Sequence, residues 1–213
     1  RYAVIEMGMN HFGELSLLTR IAGPNVALVN NALRAHVGCG FDGVGDIAKA
    51  KSEIYEGLLS DGIALIPCED ANIATFEAAT AQLNAQSFGV ASGDVHAENI
   101  ELKPLSCEFD LVRGNERVAV VLPVPGRHNV HNAVAAAALA LAAGLSLTEV
   151  SDGLKNFSNI KGRLNINSPF LSDTWKTFWL TYYKKSASLT KPARFSHERK
   201  AFEVSRFRFG RFA

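Results

Sequence analysis

Lys51, Glu6, His36 and a run of asparagines are the side chains in this 213-residue chain whose types and spacing bear on chemistry. On a helical wheel at about 100° per residue, Ile47, Ile54 and Leu58 fall within about 20° of one direction. Lys51 lies about 40° from that direction, whereas Lys49 lies about 200° away. An ammonium beside a core stripe either snorkels to water or stays desolvated with a lowered pKa. A desolvated amine can take up carbon dioxide as a carbamate and offer oxygen ligands to a hard cation. Glu6 and His36 both follow predicted strand ends, where open α/β sheets place ligands. Asn30 and Asn31 close the second of those strands, suited either to orienting ligands or to satisfying turn backbone. Asn129 and Asn132 are spaced i, i+3 and share a helix face. Each amide offers a donor and an acceptor, a match for an adenine edge, while one of them as a plain helix cap is the simpler alternative. His128 and His131 have zinc-compatible spacing but no Cys or acidic partner at a convincing offset.

These residues need elements to hold them. Tyr2 to Gly8 reads as a buried parallel strand, and Val26 to Asn30 as a second. A short helix over Leu15–Ile21 precedes Pro24. A glycine-rich loop leads to a helix starting near Asp46, a good N-cap residue. A strand at Ile63–Ile66, a helix at Ala74–Leu83 and a strand at Ser87–Val90 follow. Glu98–Leu102, Ser106–Val112 and Glu116–Leu122 alternate as antiparallel strands, with Gly114-Asn115 as a turn. Helices are predicted from Asn129 to Ala143 and from Leu147 to near Phe157. Strands alternating with helices give an α/β class: a mainly parallel sheet flanked by helices, with a small antiparallel insertion.

Composition sets further bounds. Apolar residues make up 47% of the chain, enough for one sizeable core. No apolar run reaches membrane-span length. Three scattered cysteines (Cys39, Cys68, Cys107) without a Cys-x-x-Cys pair argue for a reducing, cytoplasmic setting. The net charge of +1 conceals a split. Residues 167–213 hold ten Lys/Arg against three Asp/Glu, and residues 1–166 hold twelve against eighteen. The domain boundary is therefore expected near Ile166, with 167–213 an atypical basic tail of frameshifted or disordered character. Its Arg206-Phe-Arg-Phe-Gly-Arg-Phe212 interleaves bases and aromatics as single-strand binders do, but seven residues without a framework leave the expectation at no nucleic acid.

Five stretches carry a resemblance: Val4-Ile-Glu-Met-Gly-Met-Asn10, Val29-Asn-Asn-Ala-Leu-Arg-Ala-His36, Ile47-Ala-Lys-Ala-Lys-Ser-Glu-Ile54, Pro125-Gly-Arg-His-Asn-Val-His-Asn-Ala-Val-Ala-Ala136 and Ile160-Lys-Gly-Arg-Leu164. In this order, over about residues 2–166, they resemble the central, P-loop-NTPase-like domain of the Mur ligases. The Ala-Lys-Ala-Lys-x-Glu-Ile form is most similar to members that add D-alanyl-D-alanine to a UDP-N-acetylmuramoyl-tripeptide.

The resemblance implies ATP and Mg²⁺ as cofactors. Glu6, His36 and a carbamylated Lys51 would be metal ligands, with Lys51 and His36 also serving catalysis. Asn129, Asn132, Arg163 and Asn31 would meet the nucleotide. The implied enzyme is a cytoplasmic, monomeric carbon–nitrogen ligase of peptidoglycan precursor synthesis, working through an acyl phosphate. Its partners would be ATP, UDP-N-acetylmuramoyl-tripeptide and D-alanyl-D-alanine.

Departures from the pattern shape the expectation. No Gly-Lys-Thr or Gly-Lys-Ser occurs in the chain, so the backbone cradle for the β- and γ-phosphates is missing. After Arg163 the sequence leaves the family style. The expectation is a domain truncated at both ends, an incomplete fragment that does not ligate alone. The alternatives are a non-catalytic truncated product or interaction fragment, and a dinucleotide-binding oxidoreductase. The last rests on Gly38-Cys-Gly-Phe-Asp-Gly43, whose first glycine is too far from a strand to fit that fingerprint.

Overall fold

The computed structural model describes residues 2–34 and 40–157 and the backbone of 204–205. The chain divides into two compact units, one containing residues 1–7 and 172–213, the other residues 8–171. In the first, strand β1 (Val4–Ile5) pairs antiparallel with Val204–Ser205 in a two-stranded sheet. The sequence led us to expect a buried parallel strand here. Instead Tyr2, Val4 and Ile5 are 46%, 39% and 38% exposed. An apolar run becomes a buried parallel strand only when neighbours cover both its faces.

The second unit holds a six-stranded sheet in the order β2 (Val26–Leu28), β3 (Ile63–Pro67), β4 (Asn84–Phe88), β5 (Val95–Leu102), β6 (Cys107–Arg113) and β7 (Glu116–Leu122). Strands β2 to β5 run parallel, and β5 to β7 antiparallel. Ile63–Pro67 is apolar throughout, with Ile63 and Ile66 β-branched, and is buried from Ala64 onward, as helices on both faces require. The parallel β4–β5 pair is joined by residues 89–94 alone, too few for a helical crossover. It therefore touches at one register pair, Phe88 with Val95. Gly93 allows that reversal with φ at +111°, where a Cβ would also lie 3.1 Å from the Cys68 sulfur.

Helix α1 (Glu14–Ala22) lies against a 3-10 turn at Glu53–Gly57. The Glu53 carboxylate caps α1 from outside, accepting from Gly13 N at 2.8 Å and Ser16 N at 3.3 Å. A Cβ on Gly57 would sit 2.3 Å from the Thr19 carbonyl carbon, so only glycine permits this approach. Helix α2 (Val44–Ser52) begins two residues earlier than its sequence suggests, capped at Gly43. Asp46 sits inside the first turn and accepts from Asp42 N at 3.2 Å, holding the loop back rather than starting the helix. Helix α3 is Ile73–Thr80. Helix α4 (Arg127–Ala142) packs its alanines closely on the sheet, with Ala137 and Ala138 at most 1% exposed. Helix α5 (Leu147–Lys155) opens on a capping box between Ser146 and Glu149. The core joins Leu65, Phe88, Val95, Leu111, Val120, Val130 and Val134. Among the described residues no helix is long and apolar enough to cross a membrane.

Candidate functional site

Polar side chains converge where β2, β3 and β4 end and α4 begins. This is the carboxyl edge of the parallel strands, where each backbone run leaves the sheet and its side chains lose their neighbours. After β2 the chain passes through Asn30, Asn31 and Ala32. After β3 it passes through Cys68, Glu69 and Asp70.

Lys51 lies on the inner side of α2 and is half-buried, while Lys49 is exposed. Its Nζ donates to the Asn31 backbone oxygen at 2.5 Å. Burial pulls the Lys51 pKa below the ordinary lysine value, and the negative charge of Asp70 opposes that shift. Asp70 braces the same segment: Oδ2 accepts from Ala32 N at 2.7 Å, and Oδ1 accepts from Asn72 N at 2.8 Å. Sequence reasoning missed Asp70. Its own spacing carries no signal, because β3 reaches Ala32 only through sheet register.

At the opening of α4, Asn129 is 2% exposed and its Nδ2 donates to Pro125 O at 2.6 Å. Its Oδ1 is buried with no partner among the described residues. Asn132, one turn on, accepts at Oδ1 from Asn30 Nδ2 at 3.0 Å. The Asn30 backbone oxygen accepts from His131 Nε2 at 3.0 Å, so that nitrogen carries the hydrogen. The His131 ring also lies 5.8 Å from that of Phe88. Burial pushes the Glu69 carboxyl up, but N–H groups of Ala91 and Val90, the Ser92 side chain and nearby His131 together hold it below the usual carboxylate value. His131 Nε2 is thus taken by the Asn30 backbone.

The structure therefore brings Asn31 to Lys51 and Asn132 to Asn30, and leaves Asn129 with an unused acceptor. Glu6 belongs to the other compact unit. His36 and Arg163 lie outside the described residues, as do Gly38, Cys39 and the basic tail beyond the backbone of 204–205. Among the described residues no group of three or more His, Cys, Asp or Glu is placed to hold a metal ion. Lys51 as an amine donates to the Asn31 oxygen, and it would offer oxygen ligands to Mg²⁺ only as a carbamate.

Comparisons with known proteins agree with the fold. The profile of the Mur ligase middle domain matches residues 1–140. UDP-N-acetylmuramoyl-tripeptide–D-alanyl-D-alanine ligase of Escherichia coli is 39% identical over 165 residues, covering 76% of this chain and 36% of that protein. The crystal structure of MurF from Acinetobacter baumannii is 43% identical, with a TM-score of 0.71 over 74% of this chain and 34% of that one. MurF from Thermotoga maritima, solved in complex with ADP, has a TM-score of 0.63 over 75% of this chain and 36% of that one. At 21% identity that last likeness is one of fold alone. The chain spans about a third of the length of these curated relatives.

Proposed function

This chain belongs to the Mur ligase family, and from that we infer that it forms the adenine-recognising part of an ATP site in a ligase that adds D-alanyl-D-alanine to a UDP-N-acetylmuramoyl-tripeptide. The observation that carries the nucleotide reading is the buried Oδ1 of Asn129 at the opening of α4, which has no partner among the described residues. A buried acceptor without a donor costs about 1–3 kcal/mol, which an incoming exocyclic amine would recover. The names of the relatives at 38–39% identity support the choice of acceptor and donor substrates.

In the complete enzyme, the terminal carboxylate of the UDP-linked tripeptide attacks the γ-phosphate of ATP, giving an acyl phosphate and ADP. The amine of D-alanyl-D-alanine then attacks that carbonyl and phosphate leaves, so one amide bond forms per ATP cleaved. Asn31, Asn129, Asn132 and Arg163 are assigned to the nucleotide. Glu6, His36 and a carbamylated Lys51 keep the Mg²⁺ assignment that the family resemblance implies, and no step is derived through that metal. We assign residues 1–166 to the middle domain and 167–213 to a separate basic segment, in a cytoplasmic, monomeric protein.

Because the 213 residues contain no Gly-Lys-Thr or Gly-Lys-Ser, we expect this chain to bind adenine nucleotide without ligating. Calorimetry with millimolar ATP and Mg²⁺ should give measurable heat. No heat would remove the nucleotide reading, and ATP- and D-alanyl-D-alanine-dependent pentapeptide-linked product from the purified chain would remove the non-ligating one.

A further inference from the structure

Val29 N donates to Leu65 O at 3.4 Å as β2 leaves the sheet. Beyond that point the Asp70 carboxylate, just past β3, takes the place of a strand partner: Oδ2 accepts from Ala32 N at 2.7 Å. The carboxylate is itself held, because Oδ1 accepts from Asn72 N at 2.8 Å and from Asn72 Nδ2 at 3.1 Å. Ala32 N shares one planar peptide unit with the Asn31 oxygen, and in a trans peptide the N–H and the oxygen point to opposite sides. That oxygen receives Lys51 Nζ. Asp70 and Lys51 therefore grip the two ends of one rigid group. We propose that Asp70 is a positioning residue that, by fixing the Asn31–Ala32 peptide, keeps the Lys51 amine inside the site. The role concerns where the amine sits and not which base is bound, so it goes beyond the nucleotide reading above.

A lysine amine ends a flexible four-carbon stem, and on a half-buried stem it swings to water unless a fixed acceptor holds it. A backbone oxygen is fixed only as far as its peptide is. Donation of the Ala32 N–H to a carboxylate is a charge-assisted bond. It also polarises the peptide, which strengthens the Asn31 oxygen as an acceptor. One contact thus supplies both the place and the strength of the Lys51 bond. Burial lowers the Lys51 pKa and the Asp70 charge opposes that shift, so grip has to be separated from charge.

The test is brief acylation of the full chain with a water-soluble acetyl ester, with the yield at Lys51 read against Lys49 by peptide mass spectrometry. The Lys49 side chain, 67% exposed on the same helix, is the internal reference. In wild type Lys51 should label well below Lys49. Asp70→Ala should raise the Lys51:Lys49 ratio by about tenfold, the scale of losing one hydrogen bond to a charged group. Ala32→Pro removes the N–H but leaves the Asp70 charge and an amide oxygen at Asn31, and it should raise the ratio as far. A ratio unchanged in Asp70→Ala, with only a lower urea midpoint, confines Asp70 to starting α3 and overturns the proposal. A ratio that rises in Asp70→Ala but not in Ala32→Pro assigns the effect to charge and overturns it as well. So does Lys51 labelling as fast as Lys49 in wild type. Circular dichroism identifies an unfolded variant, and if Ala32→Pro is one, Asp70→Ala decides alone whether the amine is held.

Discussion

In the antiparallel half of the sheet, β6 is paired along its whole length with β7 and at six positions with β5. Its irregularities are also bonded: Asn99, at φ +50° beside the register shift, donates to Asp110 at 2.8 Å. Ser151 of α5 donates to Ala119 O at 2.8 Å. The parallel half is finished differently. At its carboxyl edge Asn30 and Asn129 each bury an oxygen with no partner among the described residues, and Lys51 holds an amine against burial. One half is closed by its own contacts, and the other keeps two buried oxygens without a partner among the described residues. Such a division is expected where a site is cut into a packed scaffold, since open polar groups lower stability and closed ones raise it.

The largest effect that tests this comparison lies in the closed half. Leu111 is 0% exposed in the shared core. Leu111→Ala should cost about 2–5 kcal/mol, through lost apolar burial and the cavity left behind. Urea unfolding followed by circular dichroism measures it. A loss below about 1 kcal/mol would mean that the antiparallel half does not carry the stability assigned to it.

The matching substitution in the open half is Asn129→Leu, of similar volume. It removes the unpartnered oxygen and also the donor to the half-buried Pro125 oxygen, which water can replace, so the two nearly offset and stability should stay within about 1 kcal/mol of wild type. Nucleotide affinity should fall by about tenfold or more, because the acceptor proposed for the base amine is gone. If stability collapsed while ATP still bound, the roles of the two halves would be reversed.

What the sequence revealed follows the same division. Periodicity placed Lys51 beside the core stripe and Lys49 in water, because both lie on one helix with fixed angular spacing. It ordered the strands and found the antiparallel segment, because β7 spans the expected Glu116–Leu122 and its alternation is local. It misread β1, whose apolar residues are exposed, because burial depends on what lies alongside. It also did not find Asp70 or the contacts of Asn30 with His131 and Asn132. Those join positions 38, 101 and 102 residues apart, and only sheet register and the packing of α4 on β2 bring them together.

A smaller effect is expected at the opening of α5, on the closed side. Ser146 Oγ accepts from Glu149 N at 3.3 Å, and the Glu149 carboxylate accepts in return from Ser146 N at 2.8 Å. Ser146→Ala should cost about 1 kcal/mol, the usual worth of an N-cap. Thermal unfolding should show the loss while ATP affinity stays unchanged. A change in affinity would mean that the closed half is coupled to the site.

The smallest effect should come from the exposed polar contacts that flank the open half. Glu56 Oε2 accepts from Ser16 Oγ at 2.6 Å and from Arg20 Nη2 at 2.9 Å. The Ser16 bond, then the Arg20 bond, hold its carboxyl below the ordinary glutamate value. The folded state therefore binds fewer protons than the unfolded chain between that lowered pKa and the ordinary one. Stability from Glu56 is complete above the ordinary glutamate pKa of about 4.3 and is lost as pH falls through the folded pKa. The Glu56 side chain is 43% exposed, and solvent screening keeps the whole contribution under about 1 kcal/mol. Glu56→Gln should thus unfold at slightly lower urea than wild type at pH 7, and the gap should close as the pH is lowered past the acid range. A gap that persisted at low pH would locate the contribution in shape rather than charge. Exposed contacts around the open half would then follow the same packing rule as the closed one.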